Sequence, residues 1–431
     1  MAQNSSLKVF GSEWFGISVA TLALAQVYVL AYQISKDTVF WYIGEIFSLL
    51  GISIFSVLFV IWVIRLIVVS DGTHWNSLTR FSFISLIPII MFVSNAQLLN
   101  FFGVSSTSVT LSAINYFIEY FLSLSLGVVL GYRLYTKEIQ PREINYGIII
   151  PPLSIGTSVF LALPLMKFYG GILAQTIYFL TLMGLGIFFF LFIFIGSLAF
   201  SSHVSTKMPE AFPTTMLLVG VASLIIINLV LIAEMGKIDE MLISISFVKP
   251  LSVILWGFEV WNFLVTLILM LAHPPIGSIG VWAYGFPLGL FATSTVELYN
   301  LTGLQPLVWV YVIIAIAINT LWVFGWINTG LFLNKAKGAA PKVLGTIRSN
   351  GYAYVTISSP ASGTVTQALI EGTNLVSTNI VPNVIEAGQN GIVIKFDNVA
   401  SLVEGKTYNV ILIVNIEGKF EEMKATVRYQ P

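Results

Sequence analysis

Over most of this chain apolar residues do not alternate with polar ones; they run on. Between Trp14 and Leu333 the chain is a series of long apolar stretches, broken by short polar links. About 20 apolar residues in a helix cross the hydrocarbon core of a bilayer. The pattern therefore predicts ten transmembrane helices, over 14–33, 40–66, 79–101, 108–134, 145–166, 171–200, 211–233, 243–271, 280–300 and 305–333. Links such as Asp71-Gly-Thr-His74 and Lys137-Glu-Ile-Gln-Pro-Arg142 are short and hold much of the charge. Short links make consecutive helices antiparallel neighbours, so the helices pair into five hairpins. Lys8 and Glu13 precede the first span without a small-residue cleavage pattern, so that span is expected to be retained.

From about Lys335 the period changes. Tyr352-Ala-Tyr-Val-Thr-Ile357 alternates like a half-buried strand. Asn390-Gly391 reads as a turn leading into Ile392–Phe396. Tyr408–Ile416, Glu417-Gly418 and Phe420–Tyr429 read as a closing hairpin. The expectation is a small Ig-like β-sandwich. The plan is thus a tail (1–13), an all-α integral membrane domain (14–333), a linker (334–345) and a β domain (346–431).

The odd-numbered spans share a mark. Pro88, Pro152, Pro213 and Pro287 stand in or near the first half of spans three, five, seven and nine, and Gly16 takes that place in span one. Proline removes a backbone hydrogen bond and bends a helix, which a membrane tolerates where neighbours, hydroxyls or water satisfy the freed carbonyl. Recurrence at equivalent positions predicts an inner ring of bent helices around a polar path; the competing reading is that proline is simply commoner in membrane helices. Near the bends lie Ser18, Ser85, Thr157, Thr214 and Thr293. They either line that path or bond back to their own helix. No Lys or Arg falls midway along an odd span, and a charge-free pore suits an anion that must be bound weakly enough to leave.

Short-loop Lys and Arg set the orientation. Lys8, Arg65, Arg80, Arg133, Lys137, Arg142, Lys207, Lys335, Lys337 and Lys342 lie on the side of both termini, against Lys36, Lys167, Lys237 and Lys249 opposite. Both termini are therefore expected in the cytoplasm, with the protein in the cell membrane. The apolar share is 57%, the charged share 9% and the formal net charge zero. This excludes an electrostatic case for nucleic acid. There is no cysteine, hence no thiolate metal site or cysteine nucleophile. The three histidines, His74, His203 and His273, fall near segment ends. No metal, cofactor or enzymatic constellation is expected. Glu119 and Glu259 lie within spans, where an acid is either a proton relay or is held by a structural partner; Glu297 reads as structural.

Trp14-Phe-Gly-Ile17, Arg80-Phe-Ser-Phe-Ile-Ser-Leu-Ile-Pro88, Ile254-Leu-Trp-Gly257 and Trp282-Ala-Tyr-Gly-Phe-Pro-Leu288 resemble the tellurite-resistance/dicarboxylate transporter family. That family takes in tellurite-resistance channel homologues, plant slow anion channels, malate permeases and sulfite exporters. The resemblance covers the membrane part and leaves out the β domain. It implies five hairpins in quasi-fivefold arrangement, an inner ring of odd helices and a homotrimer with one pore per subunit. It also implies a pore-occluding phenylalanine, which falls on Phe286, and a bend glycine, which falls on Gly16. A second glycine of many members is Ala20 here, and Glu297 matches an acidic residue of the plant branch.

The leading expectation is transport of a small anion such as chloride, nitrate, sulfite or a C4-dicarboxylate, gated by Phe286. One alternative is a proton-coupled dicarboxylate or sulfite carrier relaying through Glu119 or Glu259. Another, of a different class, is a membrane-anchored interaction protein working through its β domain, whose partner the sequence does not name.

Overall fold

The computed structural model describes residues 7, 9–69, 77–139, 143–206, 209–236, 244–338, 345–359, 362–386, 388–416 and 419–430. Of the sequence features above, Lys8, Asp71 to His74, Arg142, Lys207, Lys237, Lys342 and Glu417-Gly418 lie outside the described residues. The chain divides into two compact units, Met1–Leu333 and Asn334–Pro431.

The first unit holds ten helices of spanning length: α1 (Ser12–Ser35), α2 (Thr38–Val68), α3 (Leu78–Phe102), α4 (Ser106–Thr136), α5 (Tyr146–Phe168), α6 (Gly171–Thr206), α7 (Ala211–Gly236), α8 (Ile245–Ala272), α9 (Ile279–Thr302) and α10 (Pro306–Asn334). Burial separates them into two sets. Between 61% and 89% of the most apolar stretch of each odd helix is buried, against 11% to 39% for each even one. An inner ring of α1, α3, α5, α7 and α9 is thus enclosed by five lipid-facing helices. Even-helix side chains such as Ile46, Val57, Phe194, Ile254 and Ile313 stay exposed, as a bilayer requires.

The odd helices are interrupted near their N-terminal ends. In α1, α5, α7 and α9 a short 3-10 turn precedes the α-helix proper, which begins at Phe15, Ile150, Leu217 and Gly285. In α3 the break falls at Ile84–Ser85 and the α-helix resumes at Leu86. Pro88, Pro152 and Pro287 are each the third residue of such an α segment, and Gly16 the second. Amides of a first turn have no intrahelical partner, so proline there sacrifices no bond. The prolines mark where each α segment starts, whereas Pro213 sits inside the 3-10 turn of α7. A second break in α5, at Thr157–Ser158, frees the Gly156 carbonyl, and Asn228 of α7 donates to it at 3.0 Å. This is the compensation that irregular backbone needs in a membrane.

Lipid offers little hydrophobic drive for one helix to seek another, so close contact and polar bonds between helices hold the ring. Gly285 and Gly289 of α9 meet α1 at Ala20 and Ala23. A Cβ at Gly289 would lie 2.5 Å from the Ala23 Cβ and 3.1 Å from its Cα. The alanine at position 20 thus packs on the α9 backbone. Gln97 donates to the Leu22 carbonyl (2.9 Å), Tyr311 to that of Val27 (2.6 Å) and Ser18 to that of Gly51 (2.9 Å), tying α3, α10 and α2 to α1.

The second unit has nine strands: β1 (Gly345–Arg348), β2 (Tyr352–Ser359), β3 (Gly363–Ile370), β4 (Val376–Ser377), β5 (Ile380–Val381), β6 (Val384–Ile385), β7 (Gly388–Lys395), β8 (Thr407–Ile416) and β9 (Lys419–Gln430). Their order is β4-β3-β8-β9-β1-β2-β7-β5, with β6 on β3. The joint is β1, antiparallel to β2 and parallel to β9. On one side of it lies β2-β7-β5 and on the other β9-β8-β3-β4, the strand order of an Ig-like sandwich. Alternate residues such as Val355, Ile394, Leu412 and Val427 fill its core. One local expectation is corrected. Asn390 and Gly391 are inside β7, opposite Ile357 and Thr356. The Asn390 side chain instead accepts from the Glu386 amide and donates to the Glu386 carbonyl.

Gly289→Ala is expected to lower stability by about 1–3 kcal/mol through overpacking against the α1 backbone. Gly131→Ala, where no atom lies within 4 Å, should cause no loss. Thermal unfolding of the two purified variants in detergent checks the pair.

Candidate functional site

Three voids lie between the inner helices. A chamber of about 260 Å³ is lined by Ala23, Gln26, Val29 and Gln33 of α1, Val93, Ala96, Gln97 and Asn100 of α3, Phe160, Leu163 and Pro164 of α5, Ile227 and Leu231 of α7, and Phe286, Gly289, Leu290, Thr293 and Glu297 of α9. A narrow neck of about 40 Å³ follows, lined by Gly16, Val19, Leu86, Ile150, Leu217, Trp282, Phe286 and Pro287 among others. A vestibule of about 290 Å³ is bounded by Glu13, Thr79, Phe83, Asn145, Ala211, Pro213, Thr214 and residues 278–280 and 283. All five odd helices contribute to chamber and neck, the vestibule takes residues of α1, α3, α7 and α9 with Asn145, which caps α5, and no even helix contributes to any of the three.

Shared residues put the voids in series. Phe286 borders both chamber and neck, and Glu13, Phe83, Ile279, Gly280 and Ala283 border both neck and vestibule. The voids follow one another from the C-terminal halves of the odd helices to their N-terminal ends, with Phe286, 6% exposed, between chamber and neck. Each of the five α segments contributes one of its first two residues to the neck, namely Gly16, Leu86, Ile150, Leu217 and Phe286, and α9 adds Pro287. The neck is thus walled mainly by aliphatic side chains and the aromatic side chains of Phe83, Trp282 and Phe286, with Glu13 shared with the vestibule, a lining that disfavours a hydrated ion.

Polarity is placed at the two ends. The chamber carries the amides of Gln26, Gln33, Gln97 and Asn100, the Thr293 hydroxyl and the Glu297 carboxyl, without any lysine, arginine or histidine. At the vestibule, Arg80 stands 3.9 Å from Glu13, Ser12 donates to the Arg80 carbonyl, and Asn145 donates to Thr79.

Of the five hydroxyl residues expected along the path, Thr293 lines the chamber and Thr214 the vestibule. Ser18, Ser85 and Thr157 are buried and border none of the three voids. Ser18 faces α2, and Thr157 bonds back to Ser154. Of the five bend positions, Gly16 and Pro287 line the neck and Pro213 the vestibule, while Pro88 and Pro152 border no void.

Glu119 and Glu259 are fully buried on even helices and border no void either. Asn95 of α3 donates to Glu119 at 2.8 Å, and Asn115 donates to Asn95. Glu259 accepts from Ser223 of α7 and, at 2.8 Å, from Ser294 of α9. Each carboxyl therefore ties an outer helix to the ring.

Sequence reasoning set Glu297 aside as structural and passed over the amides. Their signal was spacing: Gln26 and Gln33, Gln97 and Asn100, and Gly289, Thr293 and Glu297 each repeat on one helical face.

Ten apolar helices, the inner five surrounding a series of voids, fit a multi-pass membrane protein of the channel or transporter class. Residues 9–329 match the SLAC1 family, described as voltage-dependent anion channel, and the chain belongs to that family. The resemblance to the tellurite-resistance/dicarboxylate transporter family is thereby borne out, and the activity of the class is anion transport, not enzymatic turnover. A search of curated proteins finds no significant match.

Glu119→Gln and Glu259→Gln keep an acceptor oxygen for their partners. Each is expected to cost no more than about 1 kcal/mol of stability and to leave anion flux per folded protein unchanged. Thermal unfolding and liposome flux measured on one preparation check this.

Proposed function

We propose that each subunit passes a small anion along the axial path, with the Phe286 ring as its gate. The observation that carries this reading is that Phe286 is the side chain common to chamber and neck. A hydrated anion in the chamber meets amide N–H groups and a hydroxyl, which can hold it weakly. Past Phe286 the neck offers it little but hydrocarbon until Glu13, shared with the vestibule, so its hydration shell has no substitute there and passage is slow. Turning the ring aside widens the path without placing a fixed charge in it, so the anion can still leave. Chloride, nitrate, sulfite and dicarboxylates are the candidate substrates. Lysine or arginine in the chamber would hold any of them too firmly for rapid release.

Association as a homotrimer, one path per copy, belongs to the same reading, with apolar even-helix faces available to lipid or to other copies. So does a cytoplasmic side for both termini, supported by the distribution of Lys and Arg.

Phe286→Ala is expected to raise anion flux in proteoliposomes about tenfold or more, equivalent to lowering the barrier by about 1.4 kcal/mol or more. Unchanged flux in a correctly folded variant rejects the gate. Because the chain has no native cysteine, Ser401→Cys on an exposed turn of the β domain reports sidedness. A membrane-impermeant thiol reagent should label it only after the cells are opened.

A further inference from the structure

Resting on the transport reading above, we propose that the chamber takes its anion together with a proton, and that Glu297 is the group that holds the proton. The carboxyl of Glu297 borders the same void as Gln26, Gln33 and Asn100. A sphere of about 260 Å³ is roughly 8 Å across, so an occupying anion lies within about one Debye length of that carboxyl. Ions of the medium cannot fit between them to screen the repulsion. An ionised Glu297 and an anion therefore exclude one another.

Protonation reverses this. The neutral carboxyl offers an O–H donor to the anion, and the chamber then carries one net negative charge, as it did when empty. Linkage makes the effect reciprocal: the anion favours the proton by the factor by which the proton favours the anion.

The surroundings of Glu297 do not supply another way to neutralise it. Glu234, near the C-terminal end of α7, acts on it with a charge of the same sign, and Asn300 gives it a hydrogen bond. The α1 and α3 faces of the chamber present amides and the α5 face only apolar groups. On α8, Glu259 is already engaged by Ser223 and Ser294. Among the described residues lining the chamber there is no cation that would pair with an ionised Glu297.

The test uses the full chain in proteoliposomes, with nitrate influx measured at clamped membrane potential and equal pH on both sides. Carboxyls lose charge as pH falls, so wild-type flux should rise toward acid, by up to about tenfold per pH unit for one linked proton, and then level off. Glu297→Gln mimics the protonated state and should show the high flux with no pH dependence. Glu297→Asp, which keeps a titrating group, should keep a pH profile and guards against a folding defect in the glutamine variant. A flat wild-type profile, or a wild-type profile retained by Glu297→Gln, overturns the proton linkage while leaving transport intact. Absence of nitrate flux at every pH in both the wild type and Phe286→Ala overturns the transport reading and this inference with it.

Discussion

Hydrocarbon solvates a leucine side chain about as well as another leucine does, and this constraint governs the molecule. In water the apolar surface of ten helices would be enough to gather them; in a bilayer it is not. The inner ring is held instead where backbones come unusually close, as Gly285 and Gly289 do to Ala20 and Ala23. It is also held where a polar group reaches across, as Glu259, Asn228, Gln97 and Tyr311 do. The odd helices are interrupted at their N-terminal ends, and three voids lie between them.

A path made this way has a distinct chemistry. Several polar side chains that serve cohesion are spent on other helices and border no void, Ser18, Glu119 and Glu259 among them, whereas Gln97 both binds the Leu22 carbonyl and lines the chamber. What remains on the axis is a small set of amides, the Thr293 hydroxyl and one carboxyl in the chamber, and Thr79, Asn145, Thr214, Ser278 and the Arg80–Glu13 pair at the vestibule. Weak neutral donors on one side of an aromatic ring and an apolar neck on the other suit transit better than retention. Family membership fixes the class of cargo as anionic. The carboxyl of Glu297 then stands out as the one chamber group whose charge opposes that cargo.

Much of the fold was legible because lipid imposes a length and a composition on anything that crosses it. Every predicted span lies within a few residues of an observed helix, and the ring of odd helices was visible in the recurrence of proline. The role of those prolines was less legible. Pro88, Pro152 and Pro287 begin α segments where no amide bond is at stake, a fact about helix phase that spacing alone does not carry. The turn expected at Asn390-Gly391 failed for a related reason. The Asn390 side chain bonds to the backbone of Glu386 upstream, while its own backbone pairs in β7. Within the site, Phe286 was singled out through resemblance, whereas Glu297, read as structural, lines the chamber. A carboxyl near a helix end looks solvated in sequence, and only the convergence of five helices shows that the solvent there is a small chamber. Ser18 was misplaced because hydroxyls on an odd helix were expected on the axis, although such a helix is buried on all sides.

The absence of native cysteine makes the central claim directly measurable. Single cysteines at Thr293, Thr214 and Ser223 can be probed with a small charged thiol reagent applied from one side of the membrane and then the other. A path interrupted at Phe286 requires Thr293→Cys to react from the chamber side alone, Thr214→Cys from the opposite side alone, and Ser223→Cys from neither. If Thr293→Cys and Thr214→Cys are as inert as Ser223→Cys, or if all three react alike from both sides, the odd helices enclose no interrupted path and the account fails.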